Sequence, residues 1–132
     1  MTRPGGMLGL RHVALFVQDL EACLHFYIDA LGMRVEWQPD PDNYYLTSGS
    51  DNLALHRASD VASGPQRLDH IGFILKSPAD VDAWHTYFVQ HGVKILRQPR
   101  VHRDGAKSFY CEDPAGNVVQ MIYHPPISDQ AN

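Results

Sequence analysis

Apolar and polar positions along this chain fall into two blocks with the same order of periods. Residues 10–17, Leu-Arg-His-Val-Ala-Leu-Phe-Val, are β-rich and run into Asp19, a good N-cap, so a strand followed by a helix is predicted. Leu20, Cys23, Leu24, Tyr27, Ile28 and Leu31 then recur at helical spacing, and Gly32 closes the helix as a C′ residue. Three short extended runs follow, near 33–38, 43–48 and 52–57, separated by Pro/Asp and Gly/Ser/Asp turn chemistry.

The second block repeats this. Residues 68–75 mirror 10–17, and Ser77-Pro78 with Asp80 supplies a cap, a proline at the first helical position and an acid in the first turn. Val81, Trp84 and Phe88 carry an apolar stripe that Gly92 ends, and strands are predicted near 93–98, 106–112 and 117–123, with Asp113-Pro-Ala-Gly116 as the last turn. Aligning the blocks places Leu10, His12 and Val13 on Leu68, His70 and Ile71 at an offset of 58. At 60, His25, Tyr27, Gly32, Arg34 and Val35 fall on His85, Tyr87, Gly92, Lys94 and Ile95; at 64, Tyr45 falls on Phe109 and His56 on Gln120. The expected architecture is α+β: two tandem βαβββ modules forming a cupped, barrel-like mixed sheet with helices outside. Module one is 8–57, the linker 58–67 and module two 68–124. Neither half alone is large enough to bury its sheet, so one domain over 8–124 is expected, with a flexible segment at 1–7 and a tail at 125–132.

Alternation along a strand puts His12 on one face with Ala14 and Phe16, and His70 with Gly72 and Ile74. Val13, Leu15 and Val17, and likewise Ile71, Phe73 and Leu75, then face the helices. The histidine face has small residues and room. His12, His70, His56 and Gln120 become candidate ligands of one divalent metal, because imidazole binds Zn, Fe and Ni readily and an amide oxygen is a weaker, harder donor. His25, His85, His91, His102 and His124 are expected on helix surfaces, loops or the tail.

Bulk properties narrow the classes. The net charge of −4, from 11 basic and 15 acidic residues that are scattered, offers no stripe for phosphates and argues against a nucleic-acid partner. No apolar run approaches the length of about 20 residues that spans a bilayer, so no membrane is implicated and a cytoplasmic location is expected. Cys23 and Cys111 alone suggest neither a disulfide framework nor a thiolate cluster, which leaves His and oxygen as metal ligands.

Arg11-His-Val-Ala-Leu-Phe-Val-Gln-Asp-Leu20, Phe26-Tyr27 with Leu31-Gly-Met33, Asp69-His-Ile-Gly-Phe73 and Phe109-Tyr-Cys-Glu-Asp-Pro-Ala-Gly-Asn117 resemble, in this order and spacing, the signatures of the vicinal oxygen chelate superfamily. That group contains glyoxalase I, extradiol dioxygenases, and fosfomycin and bleomycin resistance proteins. The resemblance implies paired βαβββ modules, a divalent metal (Zn, Ni, Mn or Fe), substrates that chelate it through adjacent oxygens, and a homodimer. It carries ligand roles to His12, His70 and Gln120, and in glyoxalase-like members to the position of His56. Catalytic members have Glu where this chain has Gln120, and an amide cannot take a proton as that carboxylate does in glyoxalase I. An acid/base group would then come from His56 or Tyr110, with Glu112, Arg103 and Lys107 as looser candidates. Two functions follow: a metal-dependent lyase, isomerase or dioxygenase, or a non-catalytic binder of the bleomycin-resistance type with Trp37, Tyr44, Tyr45, Trp84 and Phe109 lining a cleft.

Overall fold

The computed structural model describes Pro4, Leu8 and residues 10–60 and 68–129. The expected flexible segment 1–7 lies outside the described residues except for Pro4, as do 61–67 of the linker and 130–132 of the tail. The chain divides into two compact units at 61/62.

Unit one runs β1 (His12–Val17), α1 (Leu20–Leu24), a π-helical segment (His25–Ala30), β2 (Arg34–Asp40), β3 (Asn43–Thr47) and β4 (Asn52–Arg57). Its four-stranded sheet has the order β1-β4-β3-β2, with β1 parallel to β4 and the rest antiparallel. Unit two repeats it with β5 (Ile71–Leu75), α2 (Pro78–Gln90), β6 (Lys94–Val101), β7 (Lys107–Glu112) and β8 (Val118–Tyr123), in the order β5-β8-β7-β6. The expected α+β class and the two βαβββ modules are therefore what the structure contains.

Both helices start where their caps predict: Asp19 Oδ1 accepts from Ala22 N at 3.0 Å, and Ser77 Oγ from Asp80 N at 3.2 Å. The first helix departs from the predicted stripe in mid-course. It widens after Leu24, so that Leu31 N bonds Phe26 O at 2.9 Å, and the extra residue per turn rotates the buried face. Phe26 and Tyr27 are buried, whereas Leu24, Ile28 and Leu31 are only half-buried. Gly32 and Gly92 leave the helices at φ of 93° and 73°, the left-handed conformation expected of a C′ glycine.

Each sheet buries the face predicted for it. Leu15 and Val17 of β1 pack with Leu20 and Cys23, while His12, Ala14 and Phe16 are exposed on the other side. In unit two, Val81 and Phe88 of α2, with Phe109, Val119 and Met121, are buried. The segment after β8 is not all tail, because α3 (Pro125–Ser128) buries Ser128, whose Oγ donates to Leu75 O at 2.6 Å.

The edge strands β2 and β6 break register at matching places, between Val35 and Trp37 and between Trp37 and Asp40 in one, Ile95 and Arg97 and Arg97 and Arg100 in the other. Pro39 and Pro99 sit inside these breaks. Proline has no N–H for a ladder, so a bulged edge strand is where it is tolerated.

Candidate functional site

On unit two, the face opposite α2 carries a polar cluster. Gln120 is buried and lies opposite Gly72 in the β5–β8 pair and opposite Tyr110 in the β7–β8 pair. Its Nε2 donates to Tyr110 Oη at 3.0 Å and to Ser108 Oγ at 3.2 Å, which leaves Oε1 as the end of the amide available to a ligand. His70, just before β5, is edge-on to Tyr110, with ring centroids 5.5 Å apart. Its Nδ1–H donates to the Asp69 carboxylate at 2.6 Å, so Nε2 bears the lone pair. His102 Nε2 joins the cluster through Ser108 Oγ at 2.9 Å.

A cavity of about 630 Å³ opens beside this cluster, with Asp69, Arg97, Arg100, His102, Ser108 and Tyr110 in its wall. Arg97 and Arg100 have no ion-pair partner among the described residues, in contrast to Arg57, Lys94 and Lys107.

The equivalent face of unit one has other chemistry. His12 Nδ1–H donates to Asn52 Oδ1 at 2.7 Å, and Asn52 Nδ2 donates in turn to Glu36 at 2.8 Å, which orients the amide and again leaves the ring's Nε2 open. An aromatic row crosses the sheet from β1 to β2. Phe16 and Tyr45 each lie 5.8 Å from His56, and Trp37 stacks on Tyr45 at 5.0 Å. His56 Nδ1–H donates to Asn43 Oδ1 at 2.6 Å, and Asn43 Nδ2 donates to the Asp40 carboxylate at 2.9 Å. That amide, with the Asp42 N–H, holds the Asp40 carboxyl below its ordinary value.

Strand register corrects one expectation. Gly72 pairs with Gln120 in unit two, and Ala14 pairs with Ala54 in unit one, so the counterpart of Gln120 is Ala54 and not His56. His56 pairs with Phe16 and corresponds to Ile122, which pairs with Ile74. The offset of 64 is two residues short over β4 and β8, a slip that conserves the face, and one short over β3 and β7, where the counterpart of Tyr45 is Tyr110 and not Phe109. Unit one thus offers His12 alone from the two positions that give His70 and Gln120 in unit two. Among the described residues, no group of three or more His, Cys, Asp or Glu stands ready to hold a metal ion.

Other expectations also shift. His85 is not a free helix-surface residue, since its Nε2 is buried and its ring meets Phe109 at 5.3 Å. Lys107 is ion-paired with Asp82 and Glu112 with Lys94. Phe109 and Trp84 belong to the α2 side, where Phe88 contacts both, and Phe109 is fully buried. His102, Arg97 and Arg100 were not singled out by the sequence. The usable signal was at the offset of 60, where Arg97 and Arg100 replace Trp37 and Asp40.

Among the described residues, no helix is long and apolar enough to cross a membrane. Residues 9–121 match the profile of the Glyoxalase/Bleomycin resistance protein/Dioxygenase superfamily. An uncharacterized protein of Pseudomonas aeruginosa is 32% identical, over 89% of this chain and 90% of its own length. A 1,2-dihydroxynaphthalene dioxygenase of Pseudomonas putida is 24% identical over the whole of this chain, which spans only 43% of that enzyme. A crystal structure of lactoylglutathione lyase from Agrobacterium tumefaciens superposes with a TM-score of 0.77 at 23% identity, covering 93% of this chain and 98% of the other. At that identity the likeness concerns the fold.

Proposed function

The chain belongs to the Glyoxalase/Bleomycin resistance protein/Dioxygenase superfamily, and from that premise we propose that it is a divalent-metal-dependent enzyme of the lyase, isomerase or dioxygenase type acting on a small molecule with adjacent oxygens. The observation that carries this is the His70–Tyr110–Gln120 cluster beside an open cavity. Its donor chemistry suits a divalent ion. His70 and His12 each commit Nδ1–H to an acceptor and keep Nε2 free, and Gln120 commits its amide nitrogen and keeps Oε1. Imidazole held this way is a competent ligand, and in unit two the His70 ring and the Gln120 amide oxygen are the donors the cluster supplies. A bound ion would supply Lewis acidity toward the two substrate oxygens.

The remaining chemistry falls to the protein's own groups. Tyr110 accepts a hydrogen bond from Gln120, so its own O–H hydrogen is available to a ligand oxygen in the cavity. Asp69 fixes the tautomer of His70, and Ser108 with Tyr110 fixes the amide orientation of Gln120. His56, held at Nδ1 by Asn43, presents Nε2 as the acid/base candidate of unit one. A homodimer and a cytoplasmic location complete the proposal, the first tested by light scattering on the purified chain.

Elemental analysis and divalent-metal titration at neutral pH test the core of it. Uptake of a divalent ion is expected in the wild type and its loss in His70→Ala. A chain that takes up no divalent ion would remove the proposal. A second function, binding without turnover, is favoured by one specific observation: neither Gln120 nor Ala54 supplies a carboxylate, while Phe16, His56, Tyr45 and Trp37 form an aromatic surface. Under it, His70→Ala leaves ligand affinity intact.

A further inference from the structure

Two arginines in the wall of the unit-two cavity are explained neither by the fold nor by the polar cluster. We propose that Arg97 and Arg100 form an oxyanion-binding subsite, so that the small molecule bound beside His70 and Tyr110 carries a carboxylate or phosphate group. This deepens the metal-dependent function above and rests on the same cavity.

The first ground is backbone geometry. In a regular strand, residues three apart point to opposite faces. The register of β6 against β7 slips between Arg97 and Arg100, so that their partners Tyr110 and Ser108 are two apart and share a face, and both arginines are among the residues lining the same cavity. Arg97 stands opposite Tyr110, and Arg100 opposite Ser108, so each arginine is paired across the strands with a member of the polar cluster.

The second is charge. Neither arginine is ion-paired among the described residues, and the carboxylate in the cavity wall, Asp69, is already engaged by His70. Two guanidinium groups facing one engaged carboxylate leave an excess of positive charge in a chain whose net charge is −4. Planar guanidinium donors match carboxylate and phosphate oxygens two at a time, which makes an oxyanion the complementary ligand.

The third comes from the repeat. Unit one has the same bulges at the same places, yet Trp37 occupies the position of Arg97 and Asp40 that of Arg100. The frame needs neither arginine, because an aromatic ring and an acid satisfy it equally. Charge at 97 and 100 is therefore a property of the cavity.

Benzoate, phenyl phosphate and neutral benzamide are titrated by NMR into the 132-residue chain and into Arg97→Met/Arg100→Met. Both substituted positions are exposed, so folding is expected to persist, and near-ultraviolet circular dichroism checks it. The wild type is expected to prefer benzoate or phenyl phosphate over benzamide by about tenfold or more. The tighter of the two anions identifies the oxyanion, and the double variant should bind all three equally at the benzamide level. Equal affinity of the wild type for all three, or a preference that survives in the double variant, overturns the proposal. A carboxylate or phosphate can itself bind a divalent ion, so the titrations are made on protein stripped of metal, which separates anion binding at the arginines from binding to an ion. Anion preference without metal uptake fails the metal-dependent function alone, and metal uptake without anion preference fails the subsite alone.

Discussion

Gln120 faces Gly72 across the parallel β5–β8 pair, where a Cβ added to the glycine would stand 3.7 Å from Gln120 Oε1. The two positions equivalent to them in unit one are Ala14 and Ala54, so small residues stand there and the amide beside His12 is instead that of Asn52. The duplicated frame has been kept while its side chains differ, with the Gln120–Tyr110–Ser108 cluster in one half and the aromatic row in the other.

Gln120→Glu tests whether the amide limits metal affinity. The two hydroxyls that now accept from Nε2 can rotate to donate to a carboxylate, so the buried site can accommodate the change. Metal affinity is expected to rise by about tenfold or more, since a charged oxygen replaces a neutral one on a hard cation. Titration of the two proteins with the same ion checks it, and an unchanged affinity would place Gln120 outside the ligand set.

Acid sensitivity is expected at the Arg57 contact between β4 and α1. Hydrogen bonds from the Arg57 guanidinium, at 3.0 and 2.6 Å, hold the Glu21 carboxyl down to about 2 from 4.5. The folded value lies below the unfolded one, so the contribution is complete above pH about 4.5 and disappears as pH falls toward about 2. Glu21→Gln should be less stable than wild type at neutral pH and should converge with it at the acid end. Urea unfolding along a pH series measures this, and a constant gap across the series would contradict it.

Thiol chemistry should be silent in the native state. Burial, with Asp113 adding repulsion, pushes the Cys111 thiol up to about 12, and Cys23 is fully buried. Reaction with DTNB at neutral pH is expected to follow global unfolding, with both thiols appearing together in denaturant. Rapid labelling of the folded chain would contradict this.

Replacing His85 should stabilise the protein. Its buried Nε2 has no hydrogen-bond partner among the described residues, and an unpaired buried polar group costs about 1–3 kcal/mol. His85→Leu keeps apolar contact with Phe109 and is expected to gain about 1 kcal/mol in urea unfolding. A loss of stability would show that the imidazole contributes by packing what it forfeits in solvation.

Much of the frame was legible in the residues. Asp19, Ser77, Gly32 and Gly92 marked helix ends through cap chemistry, and alternation assigned Leu15 and Val17 to the core and His12 to the other face. Local signals of this kind depend only on nearby residues. The π-helical widening after Leu24 left no mark in the apolar spacing, and the partnering of Gln120 with Tyr110 was hidden because Tyr110 lies on a different strand. His56 was matched with Gln120 because a two-residue shift preserves strand alternation, and only the hydrogen-bonded register distinguishes the two alignments. Arg97 and Arg100 were hidden by the same logic in reverse, since regular alternation separates residues that the bulge brings to one cavity.

The prolines in β2 and β6 have a consequence for the behaviour of the protein at high concentration. A sheet rim is a template on which a second molecule can add a strand, provided its amides and carbonyls are evenly spaced. Pro39 and Pro99 each remove one donor from such a rim, and the register breaks around them disturb the spacing on both sides. Both features disfavour strand addition at these rims through the backbone rather than through the side chains at 37, 40, 97 and 100, which differ between the halves.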